Sequence, residues 1–219
     1  MTDAPRVTFS LLTLTGLIFL FQLGSKIVFD QDVLILFGAK QNDLIRQGEL
    51  WRFITPIFLH GSPFHLGSNL FILFILGVDL ERGFGRLGFV LLFFLAGFAG
   101  YVFSFFLSSN VSIGASTAVF GLFGAQAIFL FRNRIMDLRA RKFLAMGVFM
   151  LIATFLSMEM PVAIGIWSHV GGLVGGMIFA WFAGPVADQR EPRGLIVGTA
   201  VVLLIFCTLA AIRMWYGTV

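Results

Sequence analysis

The sequence predicts an all-α polytopic membrane protein. Hydrophobic residues make up 58% of the 219-residue chain and charged residues only 12%. Mean hydropathy is +0.97. The apolar residues also come in separate runs, most of them near the roughly 20 residues that a helix needs to cross the hydrocarbon core. With 28 Phe the chain is far outside the composition of a water-soluble domain of this size, and 219 residues amount to one domain, most of it taken up by spans.

Seven spans are expected. The first, about Val7 to Leu23, follows a short segment with a single Arg6, and no small-x-small cleavage pattern comes after it, so it reads as an uncleaved anchor. The next 40 or so residues, Ser25 to Phe64, are mixed: Asp30, Asp32, Lys40, Asp43, Arg46, Glu49 and Arg52 alternate with apolar residues such as Val33, Leu36, Leu44 and Phe53. That mixture suits a membrane-embedded loop, re-entrant or lying in the interface, with Trp51 at headgroup level and Arg52 snorkelling to water. The remaining spans run about His65 to Leu80, Leu87 to Leu107, Ala115 to Phe131, Phe143 to Ser157, Trp167 to Ala183 and Leu195 to Met214. Phe pairs such as Phe93-Phe94 and Phe105-Phe106 are expected to face lipid, and Cys207, the single cysteine, excludes a disulfide framework. No repeat is visible.

Charge fixes an expected orientation. The sequence pI near 9.8 could suggest nucleic acid, yet the basic residues sit between apolar runs instead of clustering with aromatics, so no nucleic-acid partner is expected. With the amino terminus cytoplasmic, Arg6, Arg82, Arg86, Arg132, Arg134, Arg139, Arg141, Lys142, Arg190 and Arg193 lie inside. Lys26, Lys40, Arg46, Arg52 and Arg213 lie outside, a ratio of ten to five.

With that topology the second, fourth and sixth spans all enter from the outside, and each carries polar residues near its start: His65 with Asn69, Ser116 after Gly114 and Ala115, and His169. Polar groups at membrane depth are costly and point to function. Residues i and i+4 share a helix face, so His65 and Asn69 point together, as do Ser116 and Phe120. Below His169 run Gly172, Gly176 and Ala180, with Gly121 and Gly124 on the fourth span. Small stripes let membrane helices approach closely, as a serine on one helix must to meet a histidine on another.

These groups assemble into acyl-transfer chemistry. His169 is the natural base for a Ser116 nucleophile. The Ser116 amide near a helix amino terminus, with the side chains of His65 and Asn69, would donate to a developing oxyanion. No carboxylate is near in sequence, so the pair would be a dyad, with Phe120 holding the imidazole by stacking.

The chain resembles the rhomboid family of intramembrane serine proteases. The resemblance rests on Trp51-Arg52 in the first loop, His65-x-x-x-Asn69, Glu81, the Gly114-to-Thr117 segment with Ser116, and His169-x-x-Gly172-x-x-x-Gly176, in the family's order and spacing. It implies a six-helix core of about residues 7–184 plus one carboxy-terminal transmembrane helix of about 195–214, within a single domain over 1–219. It further implies catalytic Ser116 and His169; transition-state stabilising His65, Asn69 and Ser116; Phe120 orienting the dyad; and structural Trp51, Arg52, Gly114, Gly172 and Gly176. No cofactor or metal is implied. The partners would be transmembrane protein substrates and the lipid bilayer, the location a bacterial inner membrane, with the amino terminus cytoplasmic and the carboxy terminus outside.

One position departs from the pattern. The family usually has Gly after the nucleophile, where this chain has Thr117. Its side chain is expected to crowd the substrate beside the scissile bond; support of the site through its hydroxyl is the competing expectation. His60, beside Gly61, Ser62 and Pro63, reads as a structural loop anchor, and Asp79 and Glu81 as interfacial caps or partners of Arg82 and Arg86. The alternative function is a catalytically weak or inactive rhomboid-like protein that binds transmembrane segments. A transporter is disfavoured because inverted repeats and mid-membrane charges are not evident.

Overall fold

A computed structural model describes residues 4–135, 137–156, 165–184 and 192–216. The described residues are helical, without strands; one isolated bridge pairs the backbones of Lys40 and Ser112. The helices are α1 (Arg6–Phe29), α2 (Val33–Gly38), α3 (Asn42–Arg46), α4 (Pro63–Leu107), α5 (Ser116–Arg132), α6 (Leu138–Leu156), α7 (Ile166–Ala183) and α8 (Pro192–Tyr216).

By length and composition four helices can cross a membrane: Arg6–Phe29, Pro63–Leu107, Ile166–Ala183 and Arg193–Trp215; Ser116–Arg132 is a shorter apolar helix. The chain is thus an integral, multi-pass membrane protein. Where two spans were expected, α4 runs as a 45-residue helix interrupted only at Gly85, at φ 74° and ψ 169°. That conformation is open to glycine and costly for other residues. Its arms, 63–84 and 86–107, are each about 33 Å long at 1.5 Å per residue, long enough to span. With α1, α5, α6 and α7 they make six segments, and α8 is the seventh.

Small residues set the packing. α5 lies against both α4 and α7. A Cβ at Gly172 would strike the Thr117 carbonyl oxygen, one at Gly176 the Gly121 carbonyl oxygen, and one at Gly124 the Leu173 carbonyl oxygen. Backbone therefore meets backbone where α5 and α7 cross, as the glycine stripe predicts. Phe93 and Phe105, expected to face lipid, are instead fully buried. At Phe105 the reason is local. The 50–58 turns press inward against α4, so the Phe53 ring meets the edges of Phe98 and Phe105 at centroid distances of 5.9 and 5.5 Å.

Two ionic expectations also change. Arg52 does not snorkel; it is 1% exposed. Its guanidinium donates to Glu49 Oε2 at 2.7 Å, to the Ala39 carbonyl at 2.8 Å and to the Leu36 carbonyl at 3.0 Å. A planar donor fork satisfying three acceptors inside the loop is worth more there than in water. Trp51, half exposed, donates its indole N–H to the Phe37 carbonyl at 3.1 Å, so the pair ties the loop together. Glu81 serves as a cap, but for α1 instead of an interfacial arginine: it accepts from the Val7 amide at 3.0 Å, the Thr8 amide at 2.7 Å and the Thr8 hydroxyl at 2.8 Å. A carboxylate at a helix amino terminus answers free amides and the positive end of the dipole together.

Candidate active site

Three helices begin at one end of the bundle, and the polar residues sit in their first turns. Ser116 opens α5, His169 is the fourth residue of α7 and His65 the third of α4. The Ser116 Oγ lies 2.7 Å from His169 Nε2. The Phe120 ring is stacked on the imidazole, with centroids 4.4 Å apart and planes 23° from parallel. His169 is buried, and its Nδ1 meets no hydrogen-bond partner among the described residues. Among the described residues the group packed on the ring is Phe120, not a carboxylate.

Gly114 makes the approach possible. Its φ of 126° is reached cheaply only by glycine. A Cβ there would come within 2.8 Å of His65 Nε2 and 3.4 Å of Ser116 Oγ. His65 therefore lies over the turn that delivers the serine. Asn69 is buried beneath it and donates from Nδ2 to the His65 carbonyl at 3.0 Å. An amide nitrogen carries two hydrogens, so one such bond leaves a second for another acceptor.

His60 anchors the loop as expected, and it also touches this turn. Its ring meets His65 edge-on at 4.9 Å between centroids. The Ala115 amide donates to His60 Nε2 at 3.4 Å, while Nδ1 lies 3.3 Å from the Phe58 carbonyl. A carbonyl only accepts, so the proton sits on Nδ1 and Nε2 is free to accept. Burial, and secondarily the neighbouring His65, hold the His60 pKa down to about 4. The His60 backbone is clasped by Gln22, which accepts from its amide at 3.0 Å and donates to its carbonyl at 3.1 Å.

Other residues that sequence reasoning missed hold the segment leading to the serine. Lys40 is fully buried, and its ammonium donates to the carbonyls of Ser104 at 3.3 Å, Ser108 at 2.8 Å and Asn110 at 3.1 Å. Burial, with Arg213 and then Arg46 nearby, pulls its pKa down to about 7. The Gly114 amide donates to the Pro56 carbonyl at 2.8 Å, and the Tyr101 hydroxyl donates to the Gly114 carbonyl at 2.8 Å. Gln22 was the legible one, being a polar side chain within an apolar span. Tyr101 gave no such signal, because a tyrosine in a membrane helix is ordinary packing. Thr117 is 1% exposed, with its methyl against Gly100.

The apolar helices thus bring a serine hydroxyl to a histidine at hydrogen-bond distance in a membrane protein. Its relatives agree in family. Residues 47–186 match the Rhomboid domain family. Rhomboid protease GluP of Bacillus subtilis is 38% identical over 188 residues, covering 85% of this chain and 35% of GluP. Rhomboid-like protease 1 of Toxoplasma gondii is 40% identical over 97 residues, 43% of this chain and 33% of that protein. The putative rhomboid protease YdcA of Bacillus subtilis is 31% identical over 150 residues, 67% of this chain and 73% of YdcA. The chain belongs to the rhomboid family. It spans about a third of the length of the first two of these relatives and nearly three quarters of the third.

Proposed function

We propose that this protein is an intramembrane serine endopeptidase that cleaves single-span transmembrane proteins with a Ser116–His169 dyad. The observation that carries the reading is the 2.7 Å contact between Ser116 Oγ and His169 Nε2, made across two helices by residues distant in sequence. A burial-averse hydroxyl and imidazole paired at membrane depth have no structural need of one another.

The chemistry follows from the positions. His169 Nε2 takes the Ser116 proton as Oγ attacks the scissile carbonyl carbon. Charge then develops on the carbonyl oxygen. The Ser116 amide at the start of α5, the ring of His65 over Gly114 and the second Nδ2 hydrogen of Asn69 are the available donors. Collapse breaks the C–N bond, His169 returns the proton to the leaving amine, and an acyl-enzyme forms on Ser116. Water admitted from the outer end repeats the sequence and frees the serine. Phe120 keeps the imidazole plane fixed through both half-reactions.

The proposed setting is a bacterial inner membrane with the amino terminus cytoplasmic and the carboxy terminus outside. The loop count of basic residues supports it. Lys40 of the first loop feels both Arg46 and Arg213, which supports a shared side for that loop and the end of α8. Arg132, at the far end of α5, bonds the Trp181 carbonyl near the end of α7.

The test is to expose purified protein in micelles to a fluorophosphonate probe and, separately, to a panel of single-span substrates. Wild type should label and cut; Ser116→Ala and His169→Ala should each do neither, with the double variant no worse, since nucleophile and base act as a unit. Folded wild type that takes no label and cuts nothing favours a rhomboid-like binder of transmembrane segments. Near-normal turnover by Ser116→Ala overturns the mechanism.

A further inference from the structure

Gln22 is buried within the apolar helix α1, and its amide is turned toward the loop that follows. Nε2 lies 2.8 Å from Asp32 Oδ2 and 3.1 Å from the His60 carbonyl oxygen. A carboxylate and a carbonyl only accept, so the NH2 group faces them with one hydrogen each. Oε1 is then left for the His60 amide, which donates to it at 3.0 Å. All three partners agree on one orientation of the side chain.

His60 lies between the 55–58 turn and the start of α4, so no helix answers its backbone N–H and C=O. Gln22 answers both. Asp32 holds Gln22 in turn, and its other oxygen, Oδ1, caps α2 by accepting from the Ile35 amide at 2.9 Å. The His60 ring, carried on this clasped backbone, then meets the site twice. Nε2 accepts from the Ala115 amide at 3.4 Å, in the peptide that precedes the Ser116 amide, and the ring packs edge-on against His65 at 4.9 Å.

We propose that Gln22 is a positioning residue, which by clasping the His60 backbone sets the imidazole against the Ala115 amide and the His65 ring and so lets α1 govern the reactivity of Ser116. The proposal rests on the reading of Ser116 as nucleophile. Gln22 meets no group assigned to the chemistry itself; its effect passes through His60.

The test compares Gln22→Met, which keeps length and loses every hydrogen bond, with Thr8→Val, which loosens α1 from Glu81 about 21 Å away along the helix. In folded protein, fluorophosphonate labelling of Ser116 should slow about three- to tenfold in Gln22→Met, the effect of one lost neutral hydrogen bond, and stay within about twofold of wild type in Thr8→Val. Should Gln22→Met not fold, Gln22→Glu, which keeps an acceptor for the His60 amide and loses the donors, is read by the same criteria. Wild-type labelling in the Gln22 variant overturns the proposal, as does equal slowing in Thr8→Val, because general loosening of α1 would then be what matters. In a His60→Leu background the Gln22 change should slow labelling no further; an undiminished effect there overturns His60 as the route. Hydrogen exchange needs no reaction: amides of the 108–115 segment should exchange at least threefold faster in Gln22→Met than in wild type, and unchanged exchange overturns the proposal. A wild-type serine that never labels counts against the nucleophile reading and leaves exchange decisive for the clasp.

Discussion

Acid should unfasten the serine turn through His60. The ring is 1% exposed, and its two nitrogens face a carbonyl and an amide N–H, an arrangement that suits the neutral form alone. Burial and then the neighbouring His65 depress its pKa to about 4, with the Phe58 carbonyl pulling the other way. The unfolded chain has the ordinary value near 6.5. Between those values the unfolded state binds a proton that the folded state refuses, so stability rises with pH across the window. The contribution is complete above about 6.5 and is lost as pH falls to about 4. A difference of about 2.5 units at 1.36 kcal/mol each gives a ceiling of about 3.4 kcal/mol. At roughly 2–4 °C per kcal/mol for a chain of this size, wild type should lose about 7–14 °C more in thermal midpoint between pH 7 and pH 4 than His60→Gln. The assay is thermal unfolding in micelles at half-unit steps of pH. Subtracting the variant removes every other titrating group, so a lower but equally sloped His60→Gln curve is the result that would refute the reasoning.

Asn69→Ala should lower turnover by on the order of a hundredfold to a thousandfold, as loss of one oxyanion donor does, while Ser116 still reacts with a fluorophosphonate. Full protection of the serine from the probe would instead mean a collapsed site. Gly176→Ala pushes a methyl into the Gly121 backbone and should cost at least the 1–3 kcal/mol typical of overpacking, with loss of labelling as Ser116 and His169 part. Gly24→Ala, where a Cβ meets nothing within 4 Å, is the matched control and should leave both stability and labelling unchanged.

The groups proposed for chemistry were legible because the bilayer makes polarity conspicuous. Ser116, His169, His65 and Asn69 stand out against apolar runs, and i, i+4 geometry sufficed to pair His65 with Asn69 and Ser116 with Phe120. The glycine stripe was legible for the same reason, since its period of four and its lack of side chains imply a close crossing. The loop was not. Arg52 looked like a snorkelling residue because sequence shows that a cation lies near the interface, not that three acceptors fold around it. Likewise Phe105 carries no mark of which helix face the 50–58 turns will cover. Lys40 was counted as an outer charge, and nothing local says that its acceptors lie more than sixty residues on.

That hidden part bears on how the proposed carboxylate-free dyad would keep its geometry. In a triad a third residue holds the histidine, whereas here the imidazole is stacked on the Phe120 ring beside the glycine crossing of α5 and α7. The serine must then be held from its own side, and the segment from Ser108 to Ala115 is too short and irregular to hold itself. Beyond one internal bond, from the Asn110 amide to the Ser108 hydroxyl, it is tied outward: Ser108 and Asn110 to the Lys40 ammonium, Ser112 to the Lys40 backbone at 3.0 and 3.2 Å, Gly114 to Pro56 and Tyr101, and Ala115 to His60. Three of these four partner residues lie before α4: Lys40 and Pro56 in the loop after α1, and His60 beside Gln22 of α1. The membrane-embedded loop is therefore the frame that supports Ser116, and Arg52, by binding Glu49, Ala39 and Leu36 at once, supports the frame. Substitutions in it should weaken Ser116 reactivity without touching any group that meets substrate.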